Sequence, residues 1–153
     1  TSIGAIPVFA DCTADTYNID PVDIKKKISS RTRAILPVHL YGQCAEMNEI
    51  CAIADKYDLR VIEDCAQAAG ALYKGKKAGS MGDVGCISFF PTKNLGGAGD
   101  GGIIVMNDEK TYRQCCALRS HGSGLDGLYT YGIQNQVEVS EADIDFHGNL
   151  PKY

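Results

Sequence analysis

"GCISFFPTKNLGGAGDGGIIVMN" (residues 85–107) sets one lysine, Lys93, among turn-forming residues between two apolar runs. The flanking runs, GCISFF (85–90) and GGIIVMN (101–107), are short and rich in β-branched or aromatic residues, as strands are. No helical pattern separates them, so this part of a sheet can be antiparallel. The linker contains G-x-G-x-x-G from Gly97 to Gly102. A dinucleotide fingerprint needs a strand before the glycines and a helix after them, so that the helix N-terminus meets the pyrophosphate. Here the glycines lead into a strand, and no G-K-[ST] stands in the frame of a phosphate loop. The glycines are the approach to a strand, not a nucleotide cradle.

The segments upstream alternate in type. LRVIED (59–64) is a β-branched strand, and residues 45–57 place Met47, Ile50, Cys51 and Ala54 at helical spacing, an apolar stripe for a sheet. AILPVHL (34–40) reads as a strand that ends or lies at an edge at Pro37. Asp20 caps a helix opened by Pro21 and running through Ile28, and IPVFA (6–10) reads as a further strand. Downstream, Asn107 or Asp108 caps a helix to about Ser120. Strands alternating with helices predict an α/β fold: a mainly parallel mixed sheet with flanking helices. Beyond residue 122 the periodicity stops, and a polar, Gly-rich loop or insertion is expected, with one short strand at 136–139.

Composition bounds the function. A chain of 153 residues can bury a real core, roughly 70% of its unfolded surface. Its net charge of −4 argues against non-specific nucleic-acid binding, which calls for a basic patch. No apolar run approaches the roughly 20 residues that span a membrane, and no signal-peptide pattern opens the chain. The seven cysteines are scattered without any C-x-x-C, which removes zinc-ribbon and thioredoxin readings and fits a reducing, cytoplasmic compartment. The opening TSIGAIPVFADC and the closing NLPKY suggest a fragment of a longer protein.

Three residues then form a chemical set. A lysine in a turn is most often solvated, an acid at a strand end is often a turn acid, and one serine says little. Yet Asp64 ends VIED and Ser88 ends GCIS, five residues before Lys93, and ligands of open α/β sheets bind at the carboxyl ends of strands. An amine nucleophile, a carboxylate for a ring nitrogen and a hydroxyl for a phosphate are what pyridoxal phosphate requires. Glycines near the lysine would let the backbone approach such a cofactor closely.

At these residues the chain resembles a known family. VIEDCAQAAGALYKGKKAGSMGDVGCISFFPTKNLGGAGDGGIIVMNDE, the upstream PVFADCTADTYNIDP and RTRAILPVHLYGQCAEMNEICAIADKYDLRVIED, and ALRSHG are similar to the DegT/DnrJ/EryC1/StrS sugar aminotransferases. The resemblance covers about residues 4–122 and the final NLPKY. It implies the central part of the large domain of a fold-type-I enzyme, of the aspartate-aminotransferase kind, with pyridoxal 5'-phosphate as cofactor. Residues 1–122 would belong to that cofactor-binding domain, 123–150 to a loop or insertion without an assigned role, and 151–153 to the start of a truncated C-terminal portion.

The resemblance also implies roles. Lys93 of SFFPTKN would carry the cofactor and act in catalysis, Asp64 would pair with its pyridinium nitrogen, Gln67 would lie against the ring or its hydroxyl, and Ser88 would bind the phosphate. His39 of PVHLYG would lie near the site, as a site residue or simply as a hydrogen-bonded structural histidine. Cys65 and Ala69 depart from an alanine and a histidine usual in the family, and Ala69 thereby loses a polar group. A dehydrating branch carries histidine in place of the lysine, so Lys93 speaks for transamination. The implied function is transfer of an amino group, from L-glutamate, to a nucleotide-linked keto-sugar in polysaccharide or amino-sugar biosynthesis, by a homodimer with a shared active site. No metal is implied. The alternatives are a lysine-bearing sugar dehydratase and a non-catalytic regulatory homologue, and the isolated fragment is expected to be inactive.

Overall fold

The computed structural model describes residues 3–120 and Gly132. It divides into two compact units, residues 1–105 and 106–153. The expected strand at 136–139 and the boundaries placed at 122 and 150 lie outside the described residues.

In the first unit, helix α1 (Pro21–Lys27) begins where Asp20 accepts a hydrogen bond from Val22 N and Pro21 supplies a preset φ. Helix α2 (Met47–Tyr57) buries Met47, Ile50, Ile53 and Ala54, with Cys51 half-buried at the margin of the stripe. It ends at Asp58, whose left-handed backbone (φ 50°) closes the last turn. Strands β1 (Ala34–Ile35) and β2 (Arg60–Asp64) precede a small antiparallel hairpin, β3 (Leu72–Tyr73) with β4 (Lys76–Lys77). Its turn puts Lys74 and Gly75 both at positive φ (49° and 84°), the pairing that matches strand twist. Strands β5 (Val84–Ser88) and β6 (Gly102–Met106) complete the main sheet.

That sheet has the order β1-β2-β5-β6. β1 and β2 are parallel, as are β2 and β5, with Glu63 opposite Gly85 and Asp64 opposite Cys86. Phe89 N donates to Gly101 O at 2.8 Å, so the 89–101 loop leaves and re-enters the sheet at one end. The sheet is therefore mixed, as the strand–loop–strand reading of 85–107 allowed. One sheet face packs on the helices: Ile24, Ile35, Met47, Ile50, Ile53, Ala54 and Val61 share one core.

Two expectations need correction. The strand expected over 34–40 forms a ladder only at 34–35, followed by a single bridge from Val38 to Asp64. Pro37 has no N–H to give, and β1 is an edge strand, where that loss is tolerated. The strand expected at 6–10 does not form, and Ile6, Val8 and Phe9 stay 78%, 66% and 85% exposed. An extended apolar segment becomes a strand only against a paired neighbour, and no described residue offers it a ladder.

In the second unit, α3 (Glu109–Arg119) starts at Asp108, whose carboxylate accepts from Thr111 N and Oγ1 at 2.6 Å. Of the two caps the sequence offered, Asp108 is the one used.

Candidate active site

The carboxyl ends of β2 and β5 lie side by side because the strands are parallel and in register. Paired residues of parallel strands share a face, and residues two apart along a strand share it too. Asp64, opposite Cys86, and Ser88, two residues beyond Cys86, thus stand on one face of the sheet. Glu63 and Gly85 stand on the other, the face that carries Val61 into the helical core. Alternation along VIED separates two acids into two environments.

Asp64 is half-buried, and its Oδ1 accepts from Ala66 N at 3.0 Å in a tight turn after the strand. Its backbone is fixed from the β1 side: Asp64 N donates to Pro37 O, and His39 N donates to Asp64 O, at 2.9 and 3.0 Å. Ser88 Oγ accepts from Phe90 N at a long 3.3 Å. Lys93 is half-buried in the loop leaving β5, where its backbone N donates to Phe90 O. Gly96 permits that loop to fold on itself, since a Cβ there would stand 2.3 Å from Pro91 O. The loop's own closure, rather than a ligand's approach, requires this glycine.

Gln67 follows Asp64 by three residues, and its Oε1 accepts from Tyr41 N at 2.8 Å. A backbone N–H requires an oxygen there, so the amide orientation is settled and the amide nitrogen remains a donor. Tyr41 is 84% exposed and sits at φ 53°, a left-handed conformation uncommon for a non-glycine residue. Gly42, at φ 83°, packs so tightly on this segment that a Cβ would lie 3.3 Å from Gln67 O. Residues 39–43 are thus closed against residues 64–67.

Below this surface lies a fully buried polar pair that the sequence did not single out as a unit. Glu63 Oε2 accepts from His39 Nε2 at 2.9 Å and from Gly79 N at 2.8 Å, while Oε1 accepts from Met81 N at 2.7 Å and Gly82 N at 2.6 Å. Burial opposes ionisation of Glu63, but the His39 donor and the three backbone N–H groups outweigh it and hold the carboxyl below its ordinary value. His39 Nδ1 accepts from Ala45 N at 3.1 Å, so Nε2 carries the proton. The histidine left open between two roles is the hydrogen-bonded, inward one. Cys65 is buried beside the pair, and burial with the neighbouring Glu63 and Asp64 charges pushes its thiol up to about 12. That cysteine is a buried packing residue.

The signal that could have found this pair is strand alternation: the residue before Asp64 faces inward, and a buried glutamate demands partners. Asp64, Ser88 and Gln67 thus belong to one end of the sheet, with Lys93 in the loop that leaves it. A carboxylate, a hydroxyl, an amide donor and an amine arranged there can bind a compact anionic, aromatic molecule and move protons on it.

Residues 1–136 match the model of the DegT/DnrJ/EryC1/StrS aminotransferase family. The chain is 55% identical over 143 residues to dTDP-3-amino-3,6-dideoxy-alpha-D-galactopyranose transaminase of Aneurinibacillus thermoaerophilus, covering 92% of this chain and 39% of that protein. It is 52% identical over 120 residues to the Pleiotropic regulatory protein of Geobacillus stearothermophilus, covering 78% of this chain and 32% of the relative. Among solved structures, an aminotransferase from Psychrobacter cryohalolentis superposes with a TM-score of 0.79 at 40% identity, over 91% of this chain and 34% of that one. NtdA from Bacillus subtilis, with bound cofactor PMP, superposes with a TM-score of 0.73 at 34% identity, over 91% and 30%. The chain spans about a third of the length of these relatives.

Proposed function

The chain belongs to the DegT/DnrJ/EryC1/StrS aminotransferase family, and from that premise we propose that the whole protein is a pyridoxal-phosphate transaminase that aminates a nucleotide-linked keto-sugar. The amino donor is an amino acid, L-glutamate in our reading. The enzyme acts as a homodimer with a shared active site, serving polysaccharide or amino-sugar biosynthesis in the cytoplasm. No described helix is long and apolar enough to cross a membrane. The observation that carries the reading is the polar set at one end of the sheet, Asp64 and Ser88 on one face with Gln67 in the turn that follows and Lys93 in the adjoining loop.

That set fits the cofactor's chemistry. Among the described residues Asp64 accepts through Oδ1 alone, from Ala66 N, so that Oδ2 could take a ring N–H. Gln67 presents an amide N–H suited to a ring hydroxylate. Among the described residues Ser88 makes one long bond, as acceptor, which leaves its hydroxyl proton to be given to a phosphate oxygen. Lys93 has no salt-bridge partner among the described residues.

When bound, the cofactor supplies an electron sink for the carbanion formed at the donor's α-carbon. Lys93 would hold it covalently through Nζ until the donor amine takes that place. The freed amine would then take the α-proton as general base and return it as general acid. Asp64 would keep the ring nitrogen protonated, a charge placed where negative charge develops. Gln67 and Ser88 would orient the ring and anchor its phosphate.

A regulatory homologue is the second reading, carried by the 52% match to a protein named for regulation. A lysine-bearing dehydratase is the third. Borohydride reduction of the full-length protein with pyridoxal phosphate and peptide mass mapping, together with product analysis on a keto-sugar, tests all three. An adduct on Lys93 with amine gained by a keto-sugar supports transamination, and an adduct with water lost supports dehydration. No adduct at Lys93 would assign the chain to the regulatory reading.

A further inference from the structure

We propose that His39 and Glu63 are positioning residues of the site. They clamp the 39–45 turn that orients Gln67, and they steady the strand end that presents Asp64. The inference rests on the reading of Asp64 and Gln67 as cofactor-binding residues, and it concerns what holds them in place.

His39 is joined to the site by three separate groups. Its backbone N bonds Asp64 O, its Nε2 donates to Glu63, the residue just before Asp64, and its Nδ1 accepts from Ala45 N at the far end of the turn. The turn between them is closed by Gly42 N to His39 O and Gln43 N to Leu40 O. Asn18, itself buried, holds the same turn from outside, accepting from Leu40 N and donating to Gln43 O. At its apex Tyr41 N reaches Gln67 Oε1. Both ends of the turn therefore meet at the imidazole, and the apex fixes the orientation of the Gln67 amide three residues after Asp64.

Glu63 performs the matching task on the other side. Its carboxylate gathers Gly79, Met81 and Gly82 N–H groups, drawing the 79–82 turn across β2 and β5. Gly85 and Gly79 pack there backbone to backbone, a Cβ on Gly85 standing 2.4 Å from Gly79. An apolar pair could fill the same volume but could not tie three backbone segments to one strand end.

A metal reading of the same cluster does not hold. Ligand atoms of His39, Glu63 and Cys65 lie within 4.8 Å of one another. Yet both carboxylate oxygens already take two donors each, and the imidazole has both nitrogens engaged.

Two substitutions separate the two ring nitrogens. His39→Asn retains an acceptor near the Nδ1 position for Ala45 N and loses the donor to Glu63. His39→Gln retains a donor near the Nε2 position and loses the acceptor. In the full-length apoprotein, hydrogen exchange at the Tyr41 amide should quicken at least tenfold in His39→Gln and stay within about threefold of wild type in His39→Asn. In the cofactor-loaded protein, His39→Gln should also shift the pH midpoint of the cofactor's absorbance, a change that loss of packing alone does not bring. Unchanged Tyr41 exchange in a folded His39→Gln protein overturns the proposal, whether or not Lys93 carries a cofactor. Should His39→Gln fail to fold, Tyr41 exchange tenfold faster in His39→Asn than in wild type overturns the assignment of the clamp to the Nδ1–Ala45 bond. Faster exchange in His39→Gln with no adduct at Lys93 upholds the clamp and overturns the cofactor reading instead.

Discussion

Glu63→Gln keeps the shape of the buried carboxylate and removes its charge. Four donors converge on it, two per oxygen, at 2.9 and 2.8 Å on Oε2 and at 2.7 and 2.6 Å on Oε1. Whichever end becomes the NH2 group, it faces two N–H donors, so two hydrogen bonds are lost and the other two lose their charge assistance. A hydrogen bond to a charged group contributes about 1.5–3 kcal/mol net. Removing the charge also removes its desolvation penalty, which offsets part of that loss. The expected outcome is a destabilisation of about 3 kcal/mol at pH 7, within the range for breaking a buried pair. The pH dependence gives a second check. The folded Glu63 carboxyl lies below its ordinary value of 4.5, so its stabilisation is fully present above that value and is lost as pH falls through the folded value. Glutamine does not titrate in this range. The stability gap between wild type and variant should therefore be constant near neutrality and close on acidification. Urea unfolding of the full-length apoprotein across a pH series measures it. A gap under about 1 kcal/mol at pH 7, or one that stays constant as pH falls well below 4.5, refutes the reasoning.

Two further outcomes follow from the geometry. Ser88→Ala removes a hydroxyl whose one bond among the described residues is a long one from Phe90 N. It should leave stability unchanged and weaken cofactor affinity about tenfold, the loss of one charge-assisted bond, as read by spectroscopic titration; an unaltered Kd would remove Ser88 from the phosphate site. Gly85→Ala would drive a methyl to 2.4 Å from Gly79 Cα and O, where both partners are backbone and neither can rotate away. A loss of about 2–3 kcal/mol in denaturant unfolding is expected, and one under about 1 kcal/mol would mean that the two backbones separate cheaply.

The parts of the fold legible in the sequence are those whose cause is local. Asp20-Pro21 satisfies and presets a helix start within three residues, and the apolar spacing of α2 needs only its own turn geometry to define a buried stripe. β2, β5 and β6 announce themselves by composition, each a short run rich in β-branched or apolar residues, although Ile103 and Ile104 of β6 stay exposed. The segment 6–10 has the same composition and forms no strand, since pairing depends on a neighbour that composition cannot supply. The β3–β4 hairpin went unread for the opposite reason. Its strands are two residues each, and its signal is confined to Lys74-Gly75, a turn that both residues make with positive φ.

The site divides along the same line. The placement of Asp64 and Ser88 at one end of the sheet was legible because a strand's carboxyl end is a position one can count to, and parallel register then puts them on one face. Glu63 stands one residue from Asp64 and carries the same charge, but alternation turns it into the interior. Its partners come from 24 residues upstream and from the backbone of residues 79, 81 and 82. No local pattern encodes such a meeting, and for a backbone donor the side chain is silent altogether. The same blindness affected the glycines: those near Lys93 suggested room for a ligand, yet Gly96 is required by the Pro91 carbonyl of its own loop. The glycines at 79 and 85, which bring backbone against backbone beside the buried carboxylate, carried no motif. Groups proposed to face a ligand are thus legible by chemical type and strand position. The groups that hold them in place are legible only once the chain has closed on itself, and a buried glutamate beside a site carboxylate is the one sequence-level hint that such a scaffold exists.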